Sequence, residues 1–294
     1  MQFPRVTQCT CKRAVRSGVK LAITKAEVRN KRSRKHGTDL CREYNSQLMR
    51  RVLESLSRGI VLKRRLPKRF GGASIFVSPD ASLQFWKPTF ESSAPLFESV
   101  AELVKPGDVI WDIGANVGLF SFSAAYLAGP TGRVLAVEPD SFLSGLLHRS
   151  AATLPANCAP VDVLSIAVSD SVGIARLNIA KRGRAANSLG PGSSQTGGFR
   201  GSQSTLCLTL DWLLGYFPAP KVIKIDVEGL EFSVLRGATT VLTQARPRIH
   251  CEIRTDASFD LLKSYGYALF DADQPMHSRR ALERRAYNTV ALPS

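Results

Sequence analysis

The sequence predicts an α/β fold: a largely parallel sheet with helices on both faces, preceded by a basic N-terminal extension. Three observations carry that prediction. A continuous apolar run at Val109–Trp111 suits a strand covered on both faces, and further strand-like stretches follow at Arg133–Val137, Val161–Val168, Lys221–Ile225 and Pro247–Ile253. Helical patterns separate these runs, and regular alternation of the two is the mark of a parallel sheet. Asp112, Glu138, Asp170 and Asp226 stand where runs end, and the carboxyl ends of parallel strands are where such sheets bind ligands.

A chain of 294 residues with 44% apolar content can bury a core of its own and has room for one domain of about 200 to 250 residues plus an extension. The net charge is +16, and residues 1–70 carry all of it, with 20 basic against 4 acidic residues, 20 − 4 = +16; residues 71–294 hold 20 of each, 20 − 20 = 0. The sequence therefore divides into a basic extension, 1–70, and a domain, 71–294. The six cysteines form no C-x-x-C pair, which fits a reducing cytoplasm better than a disulfide scaffold. Cys9, Cys11 and Cys41 with His36 match no zinc spacing, so no metal is expected. Lys20, Lys25 and Arg29 interrupt any secretory h-region. The acid-free, Arg-bearing first 26 residues also suit a mitochondrial transit peptide, the second reading of location. Residues 109–130 hold one charge, but turn glycines break them up and no transmembrane segment is expected.

Taken in order, residues 1–39 read as poorly ordered, most basic at Arg29–Lys35. Such a block is a solvated charge run or, in the sharper reading, a nucleic-acid contact. Leu40, Tyr44, Leu48, Val52, Leu56 and Ile60 recur at four-residue steps and predict one helix over 40–66. A strand at Ala73–Val77, an aromatic loop with Phe85, Trp86 and Phe90, and a helix from Pro95 to Val104 follow. Lys105–Asp108 turns the chain into the strand at Val109, and a helix runs over Leu119–Leu127. Further elements are a strand at 133–137, a helix at 141–153, a strand at 161–168 and an extra strand at 174–179. Residues 181–204 are Gly/Ser-rich and predict a long loop, either a lid or disordered. A strand at 206–210, a strand at 221–226 with a helix reaching Leu242, a strand at 247–253, a helix at 258–265 and strands at 267–270 and 287–292 complete the pattern.

Two stretches carry the chemistry. In Val109–Phe120 the spacing Asp112-x-Gly114-x-x-x-Gly118 departs from the G-x-G-x-x-G of dinucleotide sites, because Asn116 stands where the middle glycine belongs. Gly114 and Gly118 let backbone approach a ligand, free N–H groups at the helix start would receive a carboxylate, and Asp112 would orient the turn or meet an ammonium. Glu138 lies 138 − 118 = 20 residues after Gly118, where an acid accepts both hydroxyls of a ribose. The missing glycine decides against a pyrophosphate and so against NAD. In the second stretch Lys224 and Asp226 share a face of one strand. A buried Lys needs a partner, and Asp226, Glu228 and Glu252 are the candidates. The pair is either a structural ion pair or a site where Asp226 or Glu228 positions or deprotonates an acceptor hydroxyl. His250, on one face of its strand with Glu252, reads as a core residue.

The segments V-I-W-D-I-G-A-N-V-G, G-R-V-L-A-V-E-P-D, A-V-S-D with Gly173 following, T-L-D at 209–211, K-I-D-V-E-G-L-E and L-R-G-A together resemble the FkbM family of S-adenosylmethionine-dependent methyltransferases over about residues 95–255. The resemblance implies a Rossmann-like seven-strand methyltransferase fold, S-adenosylmethionine as cofactor, and O-methylation of a hydroxyl on a sugar, glycan or secondary metabolite. It implies that Asp112, Gly114, Asn116, Gly118 and Glu138 line the cofactor, that Ala167 to Asp170 lie near its adenine, and that Asp226 and Glu228, with Lys224, stand at the methyl-transfer end. Where the family carries N-x-x-x-N after the second strand, this chain has His148–Ala152. Two other readings stay open: an RNA methyltransferase using the basic tail, and a non-catalytic scaffold that binds the cofactor.

Overall fold

The computed structural model describes residues 49–50, 52–190 and 196–294, and its contacts divide the chain into Met1–Arg50 and Arg51–Ser294. The tail cysteines, His36, the basic block and the start of the helix expected over 40–66 lie outside the described residues. Of that helix, residues 49–50 and 52–56 are helical, and the chain then turns at 57–59 through Gly59 at φ 71°, the left-handed stop that glycine favours. The rest corrects the expectation, because Leu62–Arg65 is a strand, β1, paired antiparallel with β2 (Ser74–Val77). Leu66 and Phe70 are buried in the core of the domain. The boundary drawn at residue 70 therefore falls inside the folded unit, and the division lies at Arg50–Arg51.

The main sheet has seven strands: β3 (Val109–Ile113), β4 (Arg133–Val137), β5 (Val161–Leu164), β9 (Val222–Ile225), β10 (Arg248–Glu252), β11 (Tyr267–Asp271) and β12 (Asn288–Pro293), in the order β11-β12-β10-β9-β3-β4-β5. The run from β10 to β5 is parallel, and β12 is antiparallel to both its neighbours. A second sheet of three strands, order β6-β8-β7, holds β6 (Ala167–Val168), β7 (Gly173–Ala180) and β8 (Phe199–Leu208). The run 161–168 thus splits between two sheets. Residues 199–204, expected within the loop, are strand, held by the ladder from Gly173↔Cys207 to Ala180↔Phe199.

Helices α1 (Ala94–Leu103), α2 (Leu119–Ala128), α3 (Ser141–Ala151), α4 (Leu210–Leu214), α5 (Glu231–Arg236) and α6 (Asp256–Ser264) cover the sheet. Period-2 alternation assigns each strand residue to one of two cores. Ile110, Val134, Ala136 and Val222 join Phe97, Val100, Phe120, Phe122, Leu143 and Leu147 from α1, α2 and α3. Trp111, Ile113, Leu135, Val137, Ile223 and Ile225 join Leu210, Leu213, Val234, Leu235 and Phe259 from α4, α5 and α6. Each such side chain contributes about 1.5–3 kcal/mol on burial, so both faces anchor the strand ends. The helix expected to reach Leu242 is interrupted by a turn at 237–238 and resumes at 239, continuing as a π-helical turn over Val241–Ala245; at the interruption Gly237 packs so tightly that a Cβ would lie 2.4 Å from the Ser169 carbonyl oxygen. No helix among the described residues is long and apolar enough to cross a membrane. Cys158, Cys207 and Cys251 are buried free thiols.

Candidate active site

From β3 the chain winds outward to β4 and β5, and from β9 it winds the other way to β10. The crevice outside the carboxyl ends of β3 and β9 is therefore a topological switch point, where open α/β sheets take their ligands. The register sets Asp112 beside Lys224 and Lys224 beside His250 in one row. Lys224 Nζ lies 3.1 Å from Asp112 Oδ1 and 3.5 Å from Asp226 Oδ2 and donates to the Gly114 carbonyl at 2.7 Å. Burial alone would lower the Lys224 pKa, but Asp112 and Asp226 more than offset it, and the ammonium stays charged. Asp112, fully buried, also accepts from Ser121 Oγ at 2.5 Å. It acts on the turn through Lys224 rather than from the cleft wall.

The turn after β3 is built to pass close to β9. Gly114 has φ +78°, and a Cβ there would sit 1.8 Å from the Asp226 carbonyl oxygen. Gly118, at φ +85°, caps α2, and a Cβ there would meet the Phe122 ring at 2.3 Å. Asn116 takes the left-handed region at φ 54°, which Asn tolerates better than most residues. Its N–H donates to Glu138 Oε2 at 2.9 Å, and the Asp140 N–H donates to Glu138 Oε1 at 2.9 Å. Burial is the largest influence on Glu138 and Asp140 adds to it; the two N–H donors and Lys224 oppose them, and the pKa rises to about 7.

Gly114, Asn116, Glu138, Ala167, Asp226 and Glu228 wall a cleft that is partly open to solvent. Arg184 and Asn187, from the connection between β7 and β8, close its far side. Of the other residues singled out in the sequence, Gly118 and Asp112 lie behind this wall, and Asp170 is apart from it, 3.5 Å from Arg236. Glu228, at φ 54°, is held by Arg254 Nη2 at 3.0 Å, and the same guanidinium holds Glu252 at 2.8 Å. Burial and then repulsion from Asp226 raise the Glu228 pKa to about 7 against the pull of Arg254. Arg254, Arg184 and Asp140 were not marked in the sequence; Arg254, two residues after Glu252 at a strand end, had the readable signal.

Two more cavities adjoin this cleft beneath the segment 82–99. One is lined by Gln84, Ser93, Leu96, Asn116, Lys224 and Asp226, the other by Ser93, Ser99, Lys224, Asp226, His250 and Glu252. Asp226 borders all three. The cleft suits a nucleoside: Glu138 offers acceptor oxygens for vicinal hydroxyls, and the Asn116 Oδ1 atom is buried without a partner. Among the described residues no group of three or more His, Cys, Asp or Glu could hold a metal ion.

A seven-strand sheet in this order, with one reversed strand and a cleft at the switch point, is the Rossmann-like fold of S-adenosylmethionine-dependent methyltransferases. The Methyltransferase FkbM domain matches residues 112–287. The chain belongs to the FkbM methyltransferase family. It is 30% identical over 143 residues to the hexuronic acid methyltransferase AglP of Haloferax volcanii, a match covering 48% of this chain and 54% of that protein; the chain thus spans about half the length of that curated relative. Among solved structures, a methyltransferase FkbM from Methylobacillus flagellatus KT superposes with a TM-score of 0.39 at 16% identity, over 66% of this chain and 50% of that one. Aeropyrum pernix fibrillarin, solved with S-adenosyl-L-methionine bound, gives a TM-score of 0.39 at 13% identity over 79% and 93% of the two chains.

Proposed function

We propose that this protein transfers a methyl group from S-adenosylmethionine to a hydroxyl of a sugar-type acceptor, with Asp226 between the two ligands. The observation that carries the reading is the position of Asp226, which borders the Glu138 cleft and both cavities beneath residues 82–99. Family membership supports methyl transfer, and the hexuronic acid relative supports a sugar. The cofactor, when bound, supplies a sulfonium-activated methyl group, so the protein's task is alignment and removal of one proton.

In this reading Glu138 receives the ribose hydroxyls, Gly114 and Asn116 present the turn, and Ala167 lies against the adenine. Asp112 and Gly118 support the turn from behind, and Asp170, apart from the cleft, has no contact with the cofactor. Lys224 fixes the Asp226 carboxylate, which accepts a hydrogen bond from the acceptor hydroxyl and takes its proton as the oxygen is methylated. Glu228, turned toward Arg254, shapes the cofactor side. The test is Asp226→Asn, assayed with labelled cofactor and by calorimetry. Turnover should fall about 100-fold or more, the scale of general-base loss, with cofactor affinity within twofold; full turnover would refute the role of Asp226.

A further inference from the structure

The cavity bounded by Ser93, Ser99, His250, Glu252, Asp273 and Asn288 does work that the Glu138 cleft cannot. We propose that it is the acceptor subsite, that it takes an uncharged polyhydroxyl ring and refuses an anionic one, and that His250 forms part of its wall as a neutral ring. This rests on the functional reading above.

Charge selectivity follows from the lining. Among the described residues Asp226, Glu252 and Asp273 face the cavity with a single cation, Lys224, and that ammonium is already engaged by Asp112, Asp226 and the Gly114 carbonyl. Arg254 and Tyr287 hold Glu252 from outside it, and Asp273 accepts from Asn288 Nδ2 at 3.0 and 3.1 Å. A carboxylate-bearing acceptor would bring one more negative charge into this group with no unengaged lysine or arginine among the described residues of the wall to meet it. Like charges at such separations in a half-buried site are strongly disfavoured. Hydroxyls meet no such barrier, since Ser93, Ser99, Asn288 and the carboxylates offer both donors and acceptors.

His250 belongs to the wall of the cavity. It is 7% exposed, and its Nδ1 is buried without a hydrogen-bond partner. Burial, then Lys224, lower the His250 pKa to about 4, Arg279 adding to them and Asp226 opposing. The ring is therefore neutral near pH 7, able to accept a hydrogen bond and unable to supply the missing positive charge.

The experiment uses the full chain, labelled S-adenosylmethionine and a glycan extract of the source cells, split by anion exchange into uncharged and acidic fractions. Calorimetry with the cofactor is run first. Binding of the cofactor together with label in the uncharged fraction is the expected result. Label confined to the acidic fraction, or cofactor binding with label in neither, overturns the acceptor proposal while the cofactor reading stands. Absence of cofactor binding instead overturns the functional reading beneath it. Leu96→Trp, which enlarges a side chain lining both cavities, should cut labelling more than tenfold at unchanged cofactor affinity. His250→Leu should raise the acceptor concentration for half-maximal labelling at least fivefold. Unchanged labelling in both variants refutes the subsite.

Discussion

Glu138 is held by two backbone N–H donors and is almost closed off from water, so its proton equilibrium is coupled to folding and, in the proposed ribose-binding role, to ligand binding. Its pKa in the folded protein, about 7, lies above the ordinary carboxyl value of 4.5. A carboxyl shifted upward binds its proton more tightly in the folded state, so its contribution to stability is fully present below about pH 4.5 and is lost as pH rises through about 7. Ribose hydroxyls need the opposite state, because only the ionised group accepts from both. Affinity for 5′-methylthioadenosine, a nucleoside without the amino-acid end, should therefore rise about tenfold from pH 6 to pH 8, as the ionised fraction grows from about one tenth to about nine tenths. Glu138→Gln should bind weakly with a flat profile. Calorimetry at four pH values decides it, and a pH-independent wild type would show that Glu138 does not meet the ribose. The acid itself was readable from its distance after Gly118. The two donors that grip it were not, because they depend on the fold of the Asn116 turn.

Elements differ in how much of them the chain announces. The strands of the parallel sheet are continuous apolar runs, and both of their faces are filled as such runs require. The first half of β8, Phe199–Ser204, has no apolar alternation and is ordered only by pairing with β7, which no local pattern reports. The close packing of Gly237 against the Ser169 carbonyl, just after α5, is likewise a tertiary contact, between residues far apart in sequence. Two glycines separate local from tertiary demands experimentally. Gly145 lies inside α3 with open space around its Cβ position, so Gly145→Ala should stabilise the protein by about 0.5–1 kcal/mol through helix propensity and unfolded-state entropy. Gly114→Ala must instead move the Asp226 backbone out of a 1.8 Å overlap at a positive φ. Cofactor binding should be lost even where a folded protein is recovered. Urea unfolding and calorimetry on the two variants check this, and a Gly114→Ala protein that binds normally would contradict the close approach of the turn to β9.

On the scale of the whole molecule, the walls of the Glu138 cleft and of the cavities beneath residues 82–99, the proposed cofactor and acceptor sites, are joined by one ion-pair network. Asp80, 4% exposed, accepts from Arg184 at 2.8 Å and from Arg200 at 2.7 Å. Arg184 reaches on to Asp140 at 2.7 Å and covers the Phe142 ring at 4.6 Å. Asn187 Nδ2 donates to Asp140 at 2.6 Å, which itself caps α3. The connection between β7 and β8, a wall of the cofactor cleft, is thereby tied to the turn at 78–82 that leads into the roof over the acceptor cavities. Nothing in the spacing of residues 80, 140, 184 and 200 reveals this, since each lies in a different element and only the tertiary fold collects them. Burial of the pairs, with Arg184 and Arg200 only 20% and 15% exposed, places them outside the regime where water screens an ion pair to near zero. Asp80→Ala would strand two arginines, so it should destabilise by about 3 kcal/mol and speed hydrogen exchange at 181–190. Glu98→Ala removes the half-exposed contact with Arg69 and should cost less than about 1 kcal/mol. Because one network supports both sites, Asp80→Ala should weaken cofactor affinity and acceptor labelling together. Loss of one without the other, in urea-unfolding, calorimetric and labelling measurements on the same variant, would show that the two walls move independently.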